Sequence, residues 1–172
     1  MAFLIKNGTL VTAREVLKAD ILVEGERIRR IGPDLPASDG LSVVDAAGTF
    51  ILPGGVDVHT HFDLPMFDTV SADDHYSGLK AAAFGGTTTV IDFISQDVSP
   101  LLENVERWHR KADEKAAVDF SFHMNITHFD KQVEREIPLL VKEGITSLKV
   151  FTAYNGRLRL NDGDIFKVLR IA

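Results

Sequence analysis

Residues 54–63 read GGVDVHTHFD and carry two histidines, His59 and His61, separated by a single residue. The proline and glycines before the first valine indicate a turn, and the valines predict a short β-strand. Side chains of a strand alternate between its two faces, so both imidazoles are expected on one face, within reach of one metal ion. Two surface or hydrogen-bonded histidines are the alternative. A metal at the end of this strand would lie where an α/β barrel carries its chemistry.

Composition and charge narrow the classes of function. The chain has 172 residues, and 45% of them are hydrophobic, which is typical of a soluble globular domain. The formal net charge is −6, and the sequence has no Lys/Arg cluster that could neutralise phosphates, so nucleic acid is not an expected partner.

The cysteine content and the first residues limit the cofactor and the location. The chain has no cysteine, so a transition metal would need histidine, carboxylate or a less usual ligand. The apolar run within residues 1–6 is too short for a signal peptide or a membrane span. We therefore expect a cytoplasmic protein that does not bind membranes.

Residues 1–52 form a β-rich block in which three hairpins are predicted, the first with a turn at Asn7-Gly8. The paired segments are 3–5 with 9–12, 21–23 with 27–31, and 42–45 with 49–52. We assign residues 1–52 to part of a small antiparallel β-sandwich domain.

From Pro53 onward, predicted strands and helices alternate, which is typical of a parallel sheet. Strands are predicted at 87–93, 118–127 and 145–151, in addition to the histidine-bearing strand. Helices are predicted from about Ser71 to the glycines at 85–86, from 100 to 112, from 130 to 143, and from Asp162 or Asp164 onward. Pro138 is expected to break or kink the third helix.

The helix that begins near residue 100 has the clearest pattern. Ser99 is predicted as its cap and Pro100 as part of its first turn. An apolar stripe recurs at helical spacing and is expected to face the core, and its members are Leu101, Val105, Trp108 and Ala112.

These elements amount to three strand–helix units and the beginning of a fourth. A closed (β/α)8 barrel needs eight units and typically about 250 residues. We therefore expect residues 53–172 to form the first three βα units, the fourth strand and the start of the fourth helix of a TIM barrel. On this interpretation the barrel is incomplete, and the chain is the N-terminal part of a longer protein.

Lys149 lies in the middle of the last predicted strand, between Leu148 and Val150. If those two apolar residues face the helices, Lys149 faces the interior, where an unpaired ammonium is costly. One interpretation is an ion pair with Asp57 or Asp92. The other is a lysine with a lowered pKa that becomes covalently modified or acts as a base.

Five stretches together resemble the dihydropyrimidinase/hydantoinase family of cyclic amidohydrolases. They are GGVDVHTHFDLP at 54–65, SADD at 71–74, AFGGTT at 83–88, IDF at 91–93 and SLKVFTAY at 147–154. The resemblance covers the whole chain but only about the first third of a family member. The residues after the histidines and after the second strand are more similar to hydantoinase than to allantoinase or dihydroorotase.

The resemblance implies a two-zinc site in which His59 and His61 bind one metal and Lys149, carboxylated by carbon dioxide, bridges both. Tyr154 matches the tyrosine whose hydroxyl hydrogen-bonds the oxygen of the attacked carbonyl. Four apolar residues match positions that shape the substrate pocket, namely Leu64, Met66, Phe151 and Leu158. Tyr154 also belongs to that pocket.

The implied reaction is metal-assisted hydrolysis of the cyclic amide of a dihydropyrimidine or hydantoin, giving an N-carbamoyl amino acid. The catalytic aspartate and two further histidine ligands of the family are expected beyond Ala172, so the 172-residue chain alone should bind metal weakly and hydrolyse nothing measurable. Of the other histidines, only His123 is a candidate for supporting the ligands from behind. The resemblance also implies a homotetramer.

Two other functions remain open from the residues. One is a non-enzymatic relative similar to the collapsin-response mediator proteins, which keep this fold as a scaffold. The other is a neighbouring cyclic amidohydrolase, such as allantoinase or dihydroorotase.

Overall fold

The computed structural model describes residues 1–66, 68–97 and 100–172. The chain forms two compact units, Met1–Pro53 and Gly54–Ala172. None of the helices in the described residues has the length and apolar character needed to cross a bilayer.

The first unit contains seven strands in its described residues. Their bounds are β1 Ala2–Lys6, β2 Thr9–Val11, β3 Val16–Lys18, β4 Asp20–Glu24, β5 Arg27–Gly32, β6 Ser42–Asp45 and β7 Phe50–Ile51. They form a four-stranded sheet in the order β5-β4-β1-β6 and a three-stranded sheet in the order β3-β2-β7.

One of the three predicted hairpins is confirmed, and two are wrong. Strands β4 and β5 pair antiparallel around Gly25, whose φ of 61° suits glycine. Strands β1 and β2 belong to different sheets, and β6 and β7 pair in parallel with β1 and β2, not with each other. Gly8 lies against Ile51, where an added Cβ would be 2.2 Å from Cδ1. Close packing therefore explains this glycine better than a hairpin turn does.

Asp20, the first residue of β4, has a buried side chain that holds neighbouring backbone segments of the first unit. The residue is 4% exposed. Its Oδ1 accepts a hydrogen bond from the Asn7 backbone N–H (2.9 Å) and its Oδ2 from the Leu35 N–H (2.9 Å). Lys6 Nζ lies 3.4 Å from Oδ2. These contacts hold the pKa of Asp20 below its usual range, first through the Asn7 hydrogen bond.

The second unit combines a parallel sheet with four helices. The strand bounds are β8 Gly55–Asp57, β9 Pro65–Met66, β10 Thr69–Val70, β11 Thr87–Ile94, β12 Asp119–Ile126 and β13 Leu148–Val150. The helices are α1 His75–Phe84, α2 Leu101–Ala112, α3 Lys131–Leu140 and α4 Asp162–Ile171. The main sheet has the order β13-β12-β11-β8 and all three of its pairings are parallel, as the alternation predicted.

The core of this unit lies between the sheet and the helices. The predicted stripe of α2 is buried, including Trp108 at 3% exposure, and it packs with Phe122, Met124 and Ile126 of β12. The opposite faces of β11, β12 and β13 carry Phe93, His123, Asn125 and Lys149. The predicted role of the α2 stripe is therefore confirmed.

Several predicted boundaries of the second unit need correction. Helix α1 begins at His75, not near Ser71, because the Asp74 side chain caps it and forms a reciprocal capping box with Ser77. Helix α2 begins at Leu101, with Pro100 at the capping position. The predicted cap at Ser99 lies outside the described residues. Helix α3 contains Pro138 and ends soon after it, at Leu140.

Candidate metal and substrate site

A pocket of about 430 Å³ opens among the carboxyl-terminal ends of the parallel strands. In a parallel α/β sheet this edge is the usual place for chemistry. The pocket brings together all eight residues predicted from the sequence, namely His59, His61, Leu64, Met66, Lys149, Phe151, Tyr154 and Leu158.

His59 and His61 do not lie on a strand, so the prediction that they share one strand face is wrong. Strand β8 ends at Asp57, whose Oδ1 accepts a hydrogen bond from the His59 N–H (3.1 Å) and turns the chain out of the sheet. The two imidazoles nevertheless meet, with ring centroids 5.2 Å apart and planes at 89°. The loop therefore produces the proximity that was expected from a strand.

Phe93 lies at the centre of the polar side chains on the interior face of the sheet. Its ring centroid is 4.7 Å from that of His59, 5.0 Å from His61 and 4.8 Å from His123. Lys149 Nζ lies 4.2 Å from the same centroid. Because Phe93 is 5% exposed, it is a fixed surface on which the imidazoles and the lysine pack.

Lys149 faces the pocket without an ion-pair partner among the described carboxylates. The predicted pairs with Asp57 or Asp92 are wrong, because Asp57 binds the His59 amide and Asp92 lies 3.4 Å from His75. The Lys149 ammonium instead contacts the rings of Phe93 and Phe151, the latter at 4.9 Å. Burial lowers the pKa of Lys149, so the neutral amine is more accessible than in water.

His61 combines a buried ring nitrogen with a lowered pKa. Its Nδ1 is buried and has no hydrogen-bond partner in the described residues. Burial and the positive charge of Lys149 lower the pKa of His61. The neutral imidazole, which is the form that binds metals, is therefore favoured.

His123 of β12 contacts the residue that follows β8 by one position and the residue just before β13. Its Nε2 donates a hydrogen bond to the Val58 carbonyl (3.0 Å), and its Nδ1 accepts one from the Ser147 hydroxyl. Val58 immediately precedes His59, and Ser147 lies two residues before Lys149. His123 thus connects the backbone before His59 with a side chain near Lys149, in the two segments that carry the predicted ligands.

Tyr154 lies at the rim of the pocket on the segment after β13. Its backbone has a φ of 64°, and its side chain is 55% exposed. The ring packs at right angles to Phe151, with centroids 5.9 Å apart. Tyr154 therefore lines the pocket with much of its surface exposed, and Leu64, at 9% exposure, forms part of the apolar wall of the pocket.

Comparisons with known proteins identify the family. Residues 50–152 match the amidohydrolase family. The chain belongs to this family. It is 46% identical over 171 residues to the D-hydantoinase of Geobacillus stearothermophilus, covering 98% of this chain and 36% of that protein. It is 44% identical over 169 residues to the dihydropyrimidinase of Dictyostelium discoideum, covering 97% and 34%.

Solved structures agree with this assignment. The dihydropyrimidinase from Brevibacillus agri NCHU1002 superposes with a TM-score of 0.96 at 44% identity, covering 99% of this chain and 37% of that one. The predicted resemblance to the dihydropyrimidinase/hydantoinase family is confirmed, and the parallel sheet is a half-barrel consistent with an incomplete TIM barrel. The chain spans about a third of the length of the curated relatives it matches.

The amidohydrolase residues present here fit part of a metal site. Among residues 1–66, 68–97 and 100–172, no group of three His, Cys, Asp or Glu side chains could hold a metal ion. Two imidazoles and Lys149 line one pocket, and the unpartnered His61 Nδ1 suits a metal ligand or the partner of one. Lys149 is the remaining residue of this trio, and it could bind a metal only after losing its proton.

Sequence reasoning missed the polar residues Ser95, Gln96, Asn125, Thr127 and Arg157 of the pocket. Two of these five, Gln96 and Asn125, are buried. Gln96 is 8% exposed and joins the ends of β11 and β12, since its Oε1 accepts hydrogen bonds from the N–H groups of Thr127 (2.6 Å) and His128 (3.1 Å). Asn125 is 5% exposed, and its Oδ1 has no partner in the described residues. The sequence predicted a strand at 118–127, but it carried no sign that the Asn125 amide would be buried and unsatisfied.

Proposed function

We propose that this chain supplies part of the active site of a zinc-dependent cyclic amidohydrolase. The enzyme would hydrolyse the ring amide of a dihydropyrimidine or hydantoin to an N-carbamoyl amino acid. The observation that carries the proposal is the convergence of His59, His61 and Lys149 in one pocket. The names of the relatives, D-hydantoinase and dihydropyrimidinase, support the substrate class.

His59, His61 and carboxylated Lys149 would hold metal in this enzyme, with two zinc ions per complete subunit. Bound divalent metal would lower the pKa of a water molecule to near neutrality and polarise the ring carbonyl. The contribution of this chain is to hold two imidazoles and one lysine against Phe93 in a fixed arrangement.

Carboxylation would remove the cost of holding the unpaired Lys149 ammonium in a partly buried position. The unprotonated amine would attack the carbon of carbon dioxide, forming an N–C bond as one C–O π bond opens onto oxygen, and the nitrogen would release one proton to water. The product is an anion with two oxygen atoms in place of an unpaired ammonium. The lowered pKa of Lys149 favours the amine that this step needs.

Tyr154 and the apolar wall would orient the substrate. The Tyr154 hydroxyl would donate a hydrogen bond to the carbonyl oxygen as that oxygen gains negative charge during attack. The side chains of Leu64, Met66, Phe151 and Leu158 would contact the substituent on the ring and exclude water from it.

The wider assignment follows the same family. We propose that residues 1–52 belong to a small β-sandwich and residues 53–172 to the first part of the barrel. The complete protein would be a cytoplasmic homotetramer that acts on a small cyclic ureide or imide and binds neither nucleic acid nor membranes. The 172-residue chain alone would be inactive, since its own residues complete neither metal site.

A chimera tests this function. The 172 residues would replace the matching 36% of the Geobacillus stearothermophilus D-hydantoinase. Ring opening of hydantoin, dihydrouracil, allantoin and dihydroorotate would then be measured. We expect zinc-dependent hydrolysis of the first two, and its loss in His59→Asn, His61→Asn and Lys149→Ala chimeras. An Asp119→Ala chimera, changed at an exposed site on β12, should stay active.

The outcomes separate the competing functions. Preferred hydrolysis of allantoin or dihydroorotate would assign the chain to a neighbouring amidohydrolase. A folded chimera that binds zinc but opens none of the four rings would favour a scaffold role. Full activity in all three ligand variants would contradict the proposed metal site.

A further inference from the structure

The first residue of α1, His75, is buried between two carboxylates. It is 1% exposed. Its Nδ1 lies 2.8 Å from Asp63 Oδ2, and its Nε2 lies 3.4 Å from Asp92 Oδ2. The Nδ1 contact is a hydrogen bond, whereas the Nε2 contact is close enough for an ion pair but lacks hydrogen-bond geometry. Burial alone would lower the pKa of His75, but its contacts with Asp92 and Asp63 outweigh burial and raise that pKa. A doubly protonated ring can donate to both carboxylates at once, whereas a neutral ring can donate to only one.

The same carboxylates hold the backbone that follows His61. Asp92 Oδ2 accepts a hydrogen bond from the Phe62 N–H (3.2 Å). Asp63 Oδ2 also accepts one from the His75 backbone N–H (3.2 Å), and the Asp63 carbonyl accepts one from Lys111 Nζ (2.9 Å). Asp63 has a φ of 49°, so these contacts hold a backbone conformation that non-glycine residues seldom adopt.

Helix α1 carries a second contact with this segment. The Phe62 ring lies directly on Gly78, where an added Cβ would be 2.1 Å from Cε1. Gly78 is one turn from His75, so the ring and the carboxylate cluster dock the same short segment onto the start of one helix. Glycine at an interior helix position costs stability, and the close approach of Phe62 gives that cost a reason.

We propose that His75 is a positioning residue that fixes the His59–His61 segment by bridging Asp63 and Asp92. The proposal rests on the proposed function only in that the positioned imidazoles are metal ligands. His75 itself lies behind the segment and contacts neither imidazole in the described structure. It acts through Phe62 and Asp63, the two residues that follow His61.

The test compares His75→Phe and His75→Gln with Val133→Ala in the 172-residue chain. Phenylalanine keeps an aromatic ring and removes both donors, while glutamine restores one. Val133, 4% exposed on α3, is in the core away from this segment, and its truncation controls for general destabilisation. Two readouts are used: exchange of the Phe62 amide hydrogen relative to that of Met124 in the core, and the Kd for zinc by calorimetric titration.

We expect His75→Phe to accelerate Phe62 exchange relative to Met124 and to weaken zinc binding by about tenfold or more, the usual effect of losing support behind a ligand. The glutamine variant should recover part of both losses. Val133→Ala should change the two amides together and leave the zinc Kd within about twofold. Equal behaviour of His75→Phe and Val133→Ala in both readouts would overturn the proposal.

Failure of the proposed function gives a different result. If the wild-type chain binds no zinc, the amide readout still decides the role of His75. Selective exposure of the Phe62 amide in His75→Phe would then support positioning by His75 and contradict metal binding by this chain. Unchanged Phe62 exchange would overturn the positioning role whether or not zinc binds.

Discussion

Asp20 in the first unit and Asp92 in the second are both almost fully buried carboxylates, 4% and 2% exposed. Both oxygens of Asp20 accept backbone hydrogen bonds, and a lysine lies beside them. Asp92 accepts one backbone hydrogen bond and faces His75 through Oδ2, while its Oδ1 has no partner in the described residues. The Asp20 carboxylate is therefore saturated, because both of its oxygens accept hydrogen bonds. The Asp92 carboxylate is less saturated, because one of its oxygens could accept another hydrogen bond.

The difference extends to the two units as a whole. Among the described residues, six buried side-chain atoms lack a hydrogen-bond partner, and all six belong to the second unit. They are Thr60 Oγ1, His61 Nδ1, His75 Nε2, Asp92 Oδ1, Trp108 Nε1 and Asn125 Oδ1. Unsatisfied buried groups are costly and uncommon. Two of the six, His61 Nδ1 and Asn125 Oδ1, belong to residues that line the pocket, so the pocket retains unused hydrogen-bonding capacity.

The largest effect is expected from removing the less saturated carboxylate. Asp92→Ala should lower the free energy of unfolding of the second unit by about 3 kcal/mol. The change leaves the buried His75 with one neighbouring carboxylate and leaves the Phe62 N–H without its acceptor. Urea unfolding of the chain would measure this loss. Asp119→Ala, at an exposed site, is the control and should change stability by less than about 0.5 kcal/mol. A loss as small as that of the control would show that Asp92 is not part of a working network.

The saturated carboxylate should reveal itself through pH. Since the pKa of Asp20 is lowered from 3.8 in the folded chain, its contribution to stability is complete above that pH and is lost as the pH falls through the lower folded value. Asp20→Asn should reduce the Tm at pH 7 by about 5 °C. It should also make the decrease of Tm at acid pH smaller than in the wild type. Thermal scans from pH 7 to 2 would measure both effects, with Asp39→Asn, an exposed carboxylate, as control. The same decrease of Tm at acid pH in Asp20→Asn and wild type would contradict the assigned role of Asp20.

The smallest effect should have the opposite sign. Asn125→Leu removes an amide whose oxygen is unpartnered, so it should raise the free energy of unfolding by up to about 1 kcal/mol while weakening activity in the chimera. Asn104→Leu is the matched control, because Asn104 is fully buried but donates to the Pro100 carbonyl (2.9 Å) and accepts from Arg107. It should be destabilising. If the free energy of unfolding changed in the same direction in both variants, the proposed difference between satisfied and unsatisfied buried amides would be contradicted.

Local patterns predicted the second unit better than the first. The spacing in α2 identifies core residues because it depends only on neighbours in the sequence. Hairpins in residues 1–52 failed because the pairings of β1 with β6 and of β2 with β7 join distant segments, and short strands do not specify their partners.

Prediction of the site succeeded and failed for similar reasons. Strand alternation correctly placed Lys149 towards the interior. The sequence did not show that Lys149 lacks a carboxylate partner among the described residues, because the contacts of Asp57 and Asp92 depend on the three-dimensional fold. His59 and His61 were expected together, yet a loop and not a strand brings them together. The role inferred for His75 had no sequence signal, because it follows from contacts between α1 and residues 12 and 17 positions away.

The most direct test of the account is the intact mass and zinc content of the chimera with the Geobacillus stearothermophilus D-hydantoinase, measured at neutral pH with bicarbonate and zinc, for wild type and Lys149→Ala. If His59, His61 and Lys149 form one metal site, wild type should carry the added mass of one carbon dioxide together with zinc. The alanine variant should lose both. Equal zinc binding by the two proteins, with no added mass on wild type, would contradict the account.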